Sequence, residues 1–161
     1  MKRWIVIISI FILLIIGYAV ASALVGIDEK KTAEERAVSI AMDKGGLKSV
    51  SDFYLYHGKE VYSVVVGEDA KGTTQVLWIP KKLDKNSTIV KKRYADGYSK
   101  NDILNIVKKE ANPDEIISLT LGMENNKALW EVVLKDEKGQ LSYYYYDFET
   151  GKERKITIKQ F

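Results

Sequence analysis

The sequence contains no cysteine and a single histidine, and these two features remove whole classes of function. Without cysteine there is no disulfide framework, no thiolate zinc site and no cysteine nucleophile. One imidazole, at His57, excludes metal motifs that need two histidines. The phosphate-binding, dinucleotide-binding and serine-hydrolase motifs are absent as well. We therefore predict no catalytic, cofactor-binding or metal-binding residues, and we expect His57 to be an exposed turn residue.

Charge of one sign is also scarce. The chain of 161 residues carries 25 basic and 22 acidic side chains, and without Lys2 and Arg3 the segment 26–161 has 23 basic against 22 acidic ones. A near-neutral segment lacks the basic footprint of a nucleic-acid-binding protein. One local basic stretch remains. It is either a solvated loop and linker or a contact for anionic lipid or wall polymer, and it comprises Lys81, Lys82, Lys85, Lys91, Lys92 and Arg93.

One long apolar run is present at the N-terminus. Residues 4–25 carry no charge, and as a helix they would span roughly 33 Å, about the thickness of a bilayer core. A cleaved signal peptide, with an apolar region of about 7–15 residues, is the alternative. The length favours an uncleaved signal-anchor over 1–26. Lys2 and Arg3 would then lie in the cytoplasm, and the rest of the chain would lie outside the cell membrane.

The remainder of the chain repeats itself at an offset of 67 residues. A hydroxyl residue followed three positions later by an acid, the pattern of a helix N-terminus, occurs at Thr32 and again at Ser99. Three further pairs share the offset, and they are Val65-Val66 with Val132-Val133, Asp69-Ala-Lys-Gly72 with Asp136-Glu-Lys-Gly139, and Trp78 with Tyr145. The repeat predicts two copies of one small unit, which we place at residues 27–92 and 93–161.

Each copy has the pattern of one helix followed by an antiparallel meander. Apolar residues at helical spacing predict helices over residues 32–44 and 99–110. Alternating β-branched and aromatic residues bounded by Gly, Asn and Asp predict strands, over residues 50–56, 61–66, 74–79, 115–121, 128–134, 141–147 and 155–158. The predicted fold class is therefore α+β, with one helix packed on each sheet.

A run of four tyrosines, Tyr143, Tyr144, Tyr145 and Tyr146, lies in one predicted strand. Alternate residues of a strand point to opposite faces, and one helix covers only one face of a sheet. One pair of tyrosines should therefore pack against the other repeat, bind a partner or stack on a glycan. Tyrosine is common at interfaces because it buries area and keeps a polar tip. We name these tyrosines and the equivalent Trp78 as candidate partner-binding residues.

The chain resembles the TseB/YpmB-like proteins of Gram-positive bacteria. The resemblance rests on the single apolar segment, the two tandem units, Val-Leu-Trp-Ile-Pro at 76–80 and Tyr-Asp-Phe-Glu-Thr-Gly-Lys at 146–152. It implies two cystatin-like, PepSY-like domains. It also implies a regulator of cell-wall elongation that works with a penicillin-binding transpeptidase.

Two functions of different kinds follow as expectations. The first is a non-enzymatic, membrane-anchored extracytoplasmic regulator that binds the transpeptidase. The alternative is a PepSY-type inhibitor of an extracytoplasmic peptidase.

Overall fold

The computed structural model describes residues 2–83, 87–136 and 139–159, with side chains at 12–19, 28–83, 87–136 and 139–154. The first unit contains helix α1 (Lys2–Asp43) and strands β1 (Leu47–His57), β2 (Val61–Asp69), β3 (Thr74–Pro80) and β4 (Val90–Arg93). A single 3-10 turn (Tyr94–Asp96) leads to helix α2 (Lys100–Ala111). The second unit continues with β5 (Glu115–Glu124), β6 (Lys127–Lys135), β7 (Leu141–Asp147) and β8 (Glu153–Lys159).

The strands form two four-stranded antiparallel sheets, in the orders β1-β2-β3-β4 and β5-β6-β7-β8. The α+β class and the two antiparallel sheets predicted from the sequence are thereby confirmed. Strands β3 and β7 are both seven residues long and begin 67 residues apart. The turns before them also match, because Asp69 Oδ1 accepts the Thr73 amide at 3.1 Å and Asp136 Oδ1 accepts the Gln140 amide at 2.8 Å.

The predicted start of the first helix is wrong. Helix α1 runs without interruption from Lys2 to Asp43, so Thr32 is an exposed residue inside it and caps nothing. The same sequence pattern at Ser99 does form a capping box. There the Ser99 hydroxyl accepts the Asp102 amide at 3.2 Å, and the Asp102 carboxylate accepts the Ser99 amide at 2.9 Å. A capping residue acts only where free amides exist, and the helix before Thr32 leaves none.

This difference gives a matched pair of substitutions. Ser99→Ala is expected to lower the free energy of unfolding by about 1 kcal/mol, because a cap for the amides of α2 is lost. Thr32→Ala, 67 residues earlier, is expected to be neutral or slightly stabilising, because alanine favours a helix interior. Urea denaturation of the two variants checks this. Equal losses for both would show that Thr32 also begins a helix.

Strand β4 is absent from the sequence prediction, which has no strand between residues 79 and 115. Val90 to Arg93 pairs with β3 instead, from Trp78 opposite Val90 to Gln75 opposite Arg93. The strand is short and mostly basic, as edge strands often are because charge discourages pairing with other chains. Because the strand is mostly basic, it lacks the alternating apolar pattern from which strands are predicted. The predicted domain limit between residues 92 and 93 falls within β4, and the limits themselves stay a prediction.

The first sheet is covered on both faces. On one face, Ala37 and Ala41 of α1 pack against a cluster of buried side chains that includes Leu47, Val65, Leu77 and Ile79. On the opposite face, the side chains join a larger core shared with the second unit and α2, whose members include Tyr56, Tyr62, Val64, Trp78, Ile103, Val107, Leu121, Trp130 and Tyr146. The two units are therefore stacked on one another, with the first sheet in the middle.

Within the described part of the chain, no helix is long and apolar enough to cross a bilayer. The predicted anchor at residues 4–25 falls on the first part of α1, and the side chains of residues 4–11 and 20–25 lie outside the described set.

Candidate functional site

The second sheet presents a face that neither α1 nor α2 covers. Strand pairing puts Val133 opposite Tyr143 and Glu131 opposite Tyr145, so these side chains form two rows across β6 and β7. All are partly exposed. We call this surface the tyrosine face and define it by Ser118, Thr120, Glu131, Val133, Leu141, Tyr143 and Tyr145. In the first unit the equivalent face packs against the second unit. Among the residues that the structure describes, no further unit packs on the tyrosine face.

The other two tyrosines of the run point toward the core. Tyr146 has no exposed surface and lies in the shared core with Ile103 of α2. Tyr144 stacks on it, with ring centroids 6.4 Å apart and planes within 10°. Trp78 is also fully buried. Trp78 and Tyr146 are therefore core residues, and their burial does not agree with the predicted partner-binding role.

A cluster of tyrosines and glutamates lies at the end of the tyrosine face nearest the first unit. Tyr56 donates its hydroxyl to Glu124 Oε1 at 3.1 Å, and Tyr145 is hydrogen-bonded to Glu131. Burial, reinforced by the glutamates, raises the pKa of both tyrosines far above the usual value. The hydroxyls therefore stay protonated and donate to the carboxylates, which fixes the edge of the face.

A cavity of about 320 Å³ opens beside this cluster. Its walls carry both signs of charge together with one aromatic ring, since Glu124, Lys127 and Arg154 surround Tyr145. An aromatic ring next to charged groups can bind a polar peptide or a sugar by stacking and hydrogen bonding.

The turn after β7 holds Asp147 by a dense set of hydrogen bonds. Its Oδ1 accepts the amides of Glu149 at 2.9 Å and Thr150 at 2.8 Å, and its Oδ2 binds the Arg154 guanidinium. Gly151 follows with φ of +64°, and a Cβ there would lie 2.5 Å from the Tyr98 ring. Partial burial alone would raise the pKa of Asp147, but the Arg154 guanidinium and the Thr150 amide together lower it.

The lowered pKa makes the turn sensitive to acid. The pKa of Asp147 in the folded chain is lower than its ordinary value of 3.8. Its negative charge therefore stabilises the fold at pH values above 3.8. The stabilisation is lost as the pH falls through the lowered pKa. We expect Asp147→Asn to lose less stability than the parent between about pH 5 and about pH 2. The exposed Asp114→Asn is the control. Parallel curves for the parent and Asp147→Asn in urea denaturation would contradict this role.

Comparison with known proteins gives a separate family match for each of the two units. A domain described as "Cell wall elongation regulator TseB-like domain" matches residues 36–80, and one described as "Peptidase propeptide and YPEB domain" matches residues 97–157. The probable cell wall elongation regulator TseB of Bacillus subtilis (strain 168) is 36% identical over 124 residues, which cover 77% of this chain and 76% of that protein. The chain belongs to the TseB family.

A solved structure agrees with the assignment to the TseB family. The YpmB protein from Bacillus subtilis is 36% identical, with a TM-score of 0.69 over 78% of this chain and 96% of that chain. The resemblance stated from the sequence is thus confirmed. The PepSY match ends at residue 157 and includes the Asp147 turn, so this turn, between β7 and β8, lies within the PepSY-like segment of the TseB-family chain.

The basic stretch does not form one patch in this TseB-family chain. Lys91 donates to the Gly45 carbonyl at 2.7 Å near the end of α1, and Lys92 pairs with Glu149 of the second unit at 2.6 Å. Lys81 and Arg93 pair elsewhere, with Glu29 at 3.0 Å and Asp96 at 2.7 Å. Lys82 is exposed, and Lys85 lies outside the described residues. A lipid or wall-polymer contact through all six residues stays a prediction.

Sequence reasoning missed the glutamates beside the tyrosines. Glu131 follows Trp130 in β6, and only the strand register brings it opposite Tyr145. Gly122 was a usable signal, because a glycine within a strand often marks a close approach of another group. Here the Trp78 indole donates to the Gly122 carbonyl at 2.8 Å, and the Tyr56 ring occupies the space of a Cβ. His57 is exposed at the end of β1, as expected.

Proposed function

We propose that this TseB-family chain is a membrane-anchored, extracytoplasmic and non-enzymatic regulator of cell-wall elongation that binds a penicillin-binding transpeptidase. The observation that carries the proposal is the 36% identity, over three quarters of both chains, to a protein named a probable cell wall elongation regulator. The transpeptidase follows from the family resemblance, and the tyrosine face supplies a surface on which a protein could bind.

The anchor is supported by the charge pattern and by the length of α1. Residues 4–25 carry no charge, and Lys2 and Arg3 precede them. The helix has 42 residues, which at 1.5 Å per residue is roughly 63 Å. About half would cross the bilayer, and the rest would carry the first sheet with no flexible linker between. Such an anchor raises the effective concentration for a partner in the same membrane.

The tyrosine face supports a role in binding. Its two tyrosines are partly exposed and its edge is fixed by the Tyr145–Glu131 hydrogen bond. Rigid aromatic side chains lose little conformational entropy on binding, which is one reason why tyrosine is frequent among the residues that dominate interfaces.

Photocross-linking in intact cells tests the partner and the face together. A photoreactive amino acid at position 143 is expected to capture a membrane-bound transpeptidase, whereas the same group at the inward-facing position 144 should capture little. The double variant Tyr143→Ala/Tyr145→Ala is expected to reduce recovery of the partner about thirtyfold, which corresponds to about 2 kcal/mol of binding free energy.

The control for this experiment is Lys109→Ala, an exposed residue of α2. It should leave recovery unchanged, and all variants should remain folded at the temperature of the experiment. Undiminished recovery with the double variant would remove the tyrosine face from the proposal. Capture of other proteins in place of a transpeptidase would remove the partner.

The second candidate function is inhibition of an extracytoplasmic peptidase. The match of residues 97–157 to a domain described as "Peptidase propeptide and YPEB domain" favours it. In that case the purified chain should inhibit such a peptidase at stoichiometric concentration, and Tyr143→Ala/Tyr145→Ala should relieve inhibition. Full peptidase activity in the presence of excess chain would eliminate this candidate.

A further inference from the structure

An apolar groove lies between α1 and the edge of the first sheet, on the side of the fold away from the tyrosine face. The wall from α1 combines small and apolar side chains with polar ones, among them Asp28, Thr32 and Arg36, and the strands supply branched side chains on the opposite wall. The volume is about 410 Å³. Pockets of about 300–1,000 Å³ with largely apolar walls are the usual size for small molecules. The groove is defined by Ala33, Ala37, Ile40, Leu55, Val61 and Ile79.

The groove begins close to the end of the apolar run. Asp28 at its mouth lies three positions after residue 25 on the same helix, and Ile40 lies fifteen positions after residue 25. At 1.5 Å per residue these positions are roughly 5 Å and roughly 22 Å further along the axis of α1. If residues 4–25 cross the bilayer, the groove opens at the membrane surface and extends away from it.

A second cavity of about 850 Å³, more polar than the groove, adjoins it. The two share Val61, Pro80 and Lys81 as common walls. The polar cavity, which we call the basic pocket, adds Lys59 and Lys82. Among the residues that the structure describes, neither of these two lysines forms an ion pair.

Two of the three acidic groups that line the groove and the basic pocket are already engaged, and the third is Asp28 at the mouth of the groove. Glu60 of the basic pocket accepts the Tyr62 hydroxyl at 2.9 Å, and Glu29 at the mouth of the groove pairs with Lys81 at 3.0 Å. Both side chains of the Glu29–Lys81 pair are more than half exposed, and such pairs contribute little to stability. Lys81 can therefore exchange its carboxylate for another anion without large loss.

We infer that the groove and the basic pocket together bind one anionic membrane lipid, with an acyl chain in the groove and its phosphate among Lys59, Lys81 and Lys82. An apolar cavity joined to a basic one matches a molecule with an apolar tail and an anionic head. The small volume fits one chain better than a protein segment, since a stable protein contact needs about 800 Å² on each partner. The inference rests on the proposed function only in that the anchor brings the site to the membrane.

The test uses the full chain in lipid nanodiscs that contain phosphatidylglycerol with a photoreactive group in its acyl chain. After illumination, labelled positions are mapped by mass spectrometry. We expect label on groove residues within 28–40 and 55–63. Phosphatidylcholine with the same reactive chain should label the groove about tenfold less, because its head carries no net charge.

Two variants and one matched control sharpen the test. Ala33→Phe narrows the groove and is expected to reduce label there about tenfold. Lys59→Glu/Lys82→Glu leaves the groove intact, removes attraction for the phosphate and should reduce label similarly. Lys108→Glu/Lys109→Glu makes the same change of charge on exposed residues of α2 and should leave labelling unchanged.

The outcomes separate this inference from the anchor. Label confined to residues 4–25 would support the anchor and overturn the lipid site. Label in the groove with none on residues 4–25 would support the lipid site and contradict the anchor. Equal labelling by the two lipids, or unchanged labelling in Lys59→Glu/Lys82→Glu, would overturn the phosphate pocket. In native membranes, capture of a protein segment and no lipid in the groove of this chain would overturn the whole inference.

Discussion

Replacement of Trp78 by alanine is expected to lower the free energy of unfolding by about 4 kcal/mol, since loss of a large buried aromatic side chain costs about 3–5 kcal/mol. Trp78 is fully buried between the two units. Its ring packs edge to face against the Phe148 ring, with centroids 5.4 Å apart, and its indole N–H donates to the Gly122 carbonyl at 2.8 Å. Alanine removes both contacts and leaves a cavity in the shared core. Urea denaturation followed by circular dichroism measures the loss.

Trp78→Phe provides the control for this prediction. It keeps a ring against Phe148 but loses the indole N–H, so the Gly122 carbonyl is left without that donor. The expected loss is about 2 kcal/mol, from the missing hydrogen bond and the smaller ring. A loss below about 1 kcal/mol for Trp78→Ala would be inconsistent with full burial of a large side chain, and the shared core would then be wrong.

Seven of the eight described strands and α2 could be predicted because their signals are local. Alternating β-branched and aromatic residues between turn residues indicate hairpins, and the turn signals at Asp69 and Asp136 are visible in the sequence as well. The limits of β7 are those predicted, 141 and 147. Patterns of this kind hold when each segment decides its own conformation, which is the case for a meander with short turns.

The start of the first helix could not be predicted from the same kind of signal. Thr32 and Glu35 form a sequence pattern for a helix N-terminus, but whether an N-terminus exists depends on the conformation of the preceding residues. Here the preceding residues are helical from Lys2 onward, so the pattern has no free amides to cap. The repeat added to the error, because it suggested that Thr32 and Ser99 play equal roles.

The repeat also suggested that Trp78 and Tyr145 share one environment. Their strand positions are equivalent, and both point away from the helix of their own unit. Their surroundings nevertheless differ, because the second unit covers that face in the first sheet and nothing described covers it in the second. Stacking of identical units necessarily leaves one unpaired end. Sequence shows the repeat, but the direction of stacking, which decides which residue is buried, depends on distant contacts.

Those distant contacts include a close approach at Gly122, and Gly122→Ala is expected to lower the free energy of unfolding by about 3 kcal/mol. A Cβ at this position would lie 2.4 Å from the ring of Tyr56, which is itself buried. Overpacking of a well-filled core costs about 1–3 kcal/mol, and we expect the upper end because the ring is held by its hydrogen bond to Glu124. Gly72→Ala, in an open turn with φ of +74°, is the control and should cost about 1 kcal/mol.

A double-mutant cycle shows whether the loss comes from this contact between the two units. Tyr56→Ala alone is expected to cost about 4 kcal/mol, because a buried ring is lost. In the chain that also carries Tyr56→Ala, the methyl group of Gly122→Ala enters vacated space, so the pair should cost less than the sum by about 2 kcal/mol. Additive losses would mean that residues 56 and 122 do not touch. The tyrosine face would then no longer follow as the surface left over by stacking, because the stacking itself would be wrong.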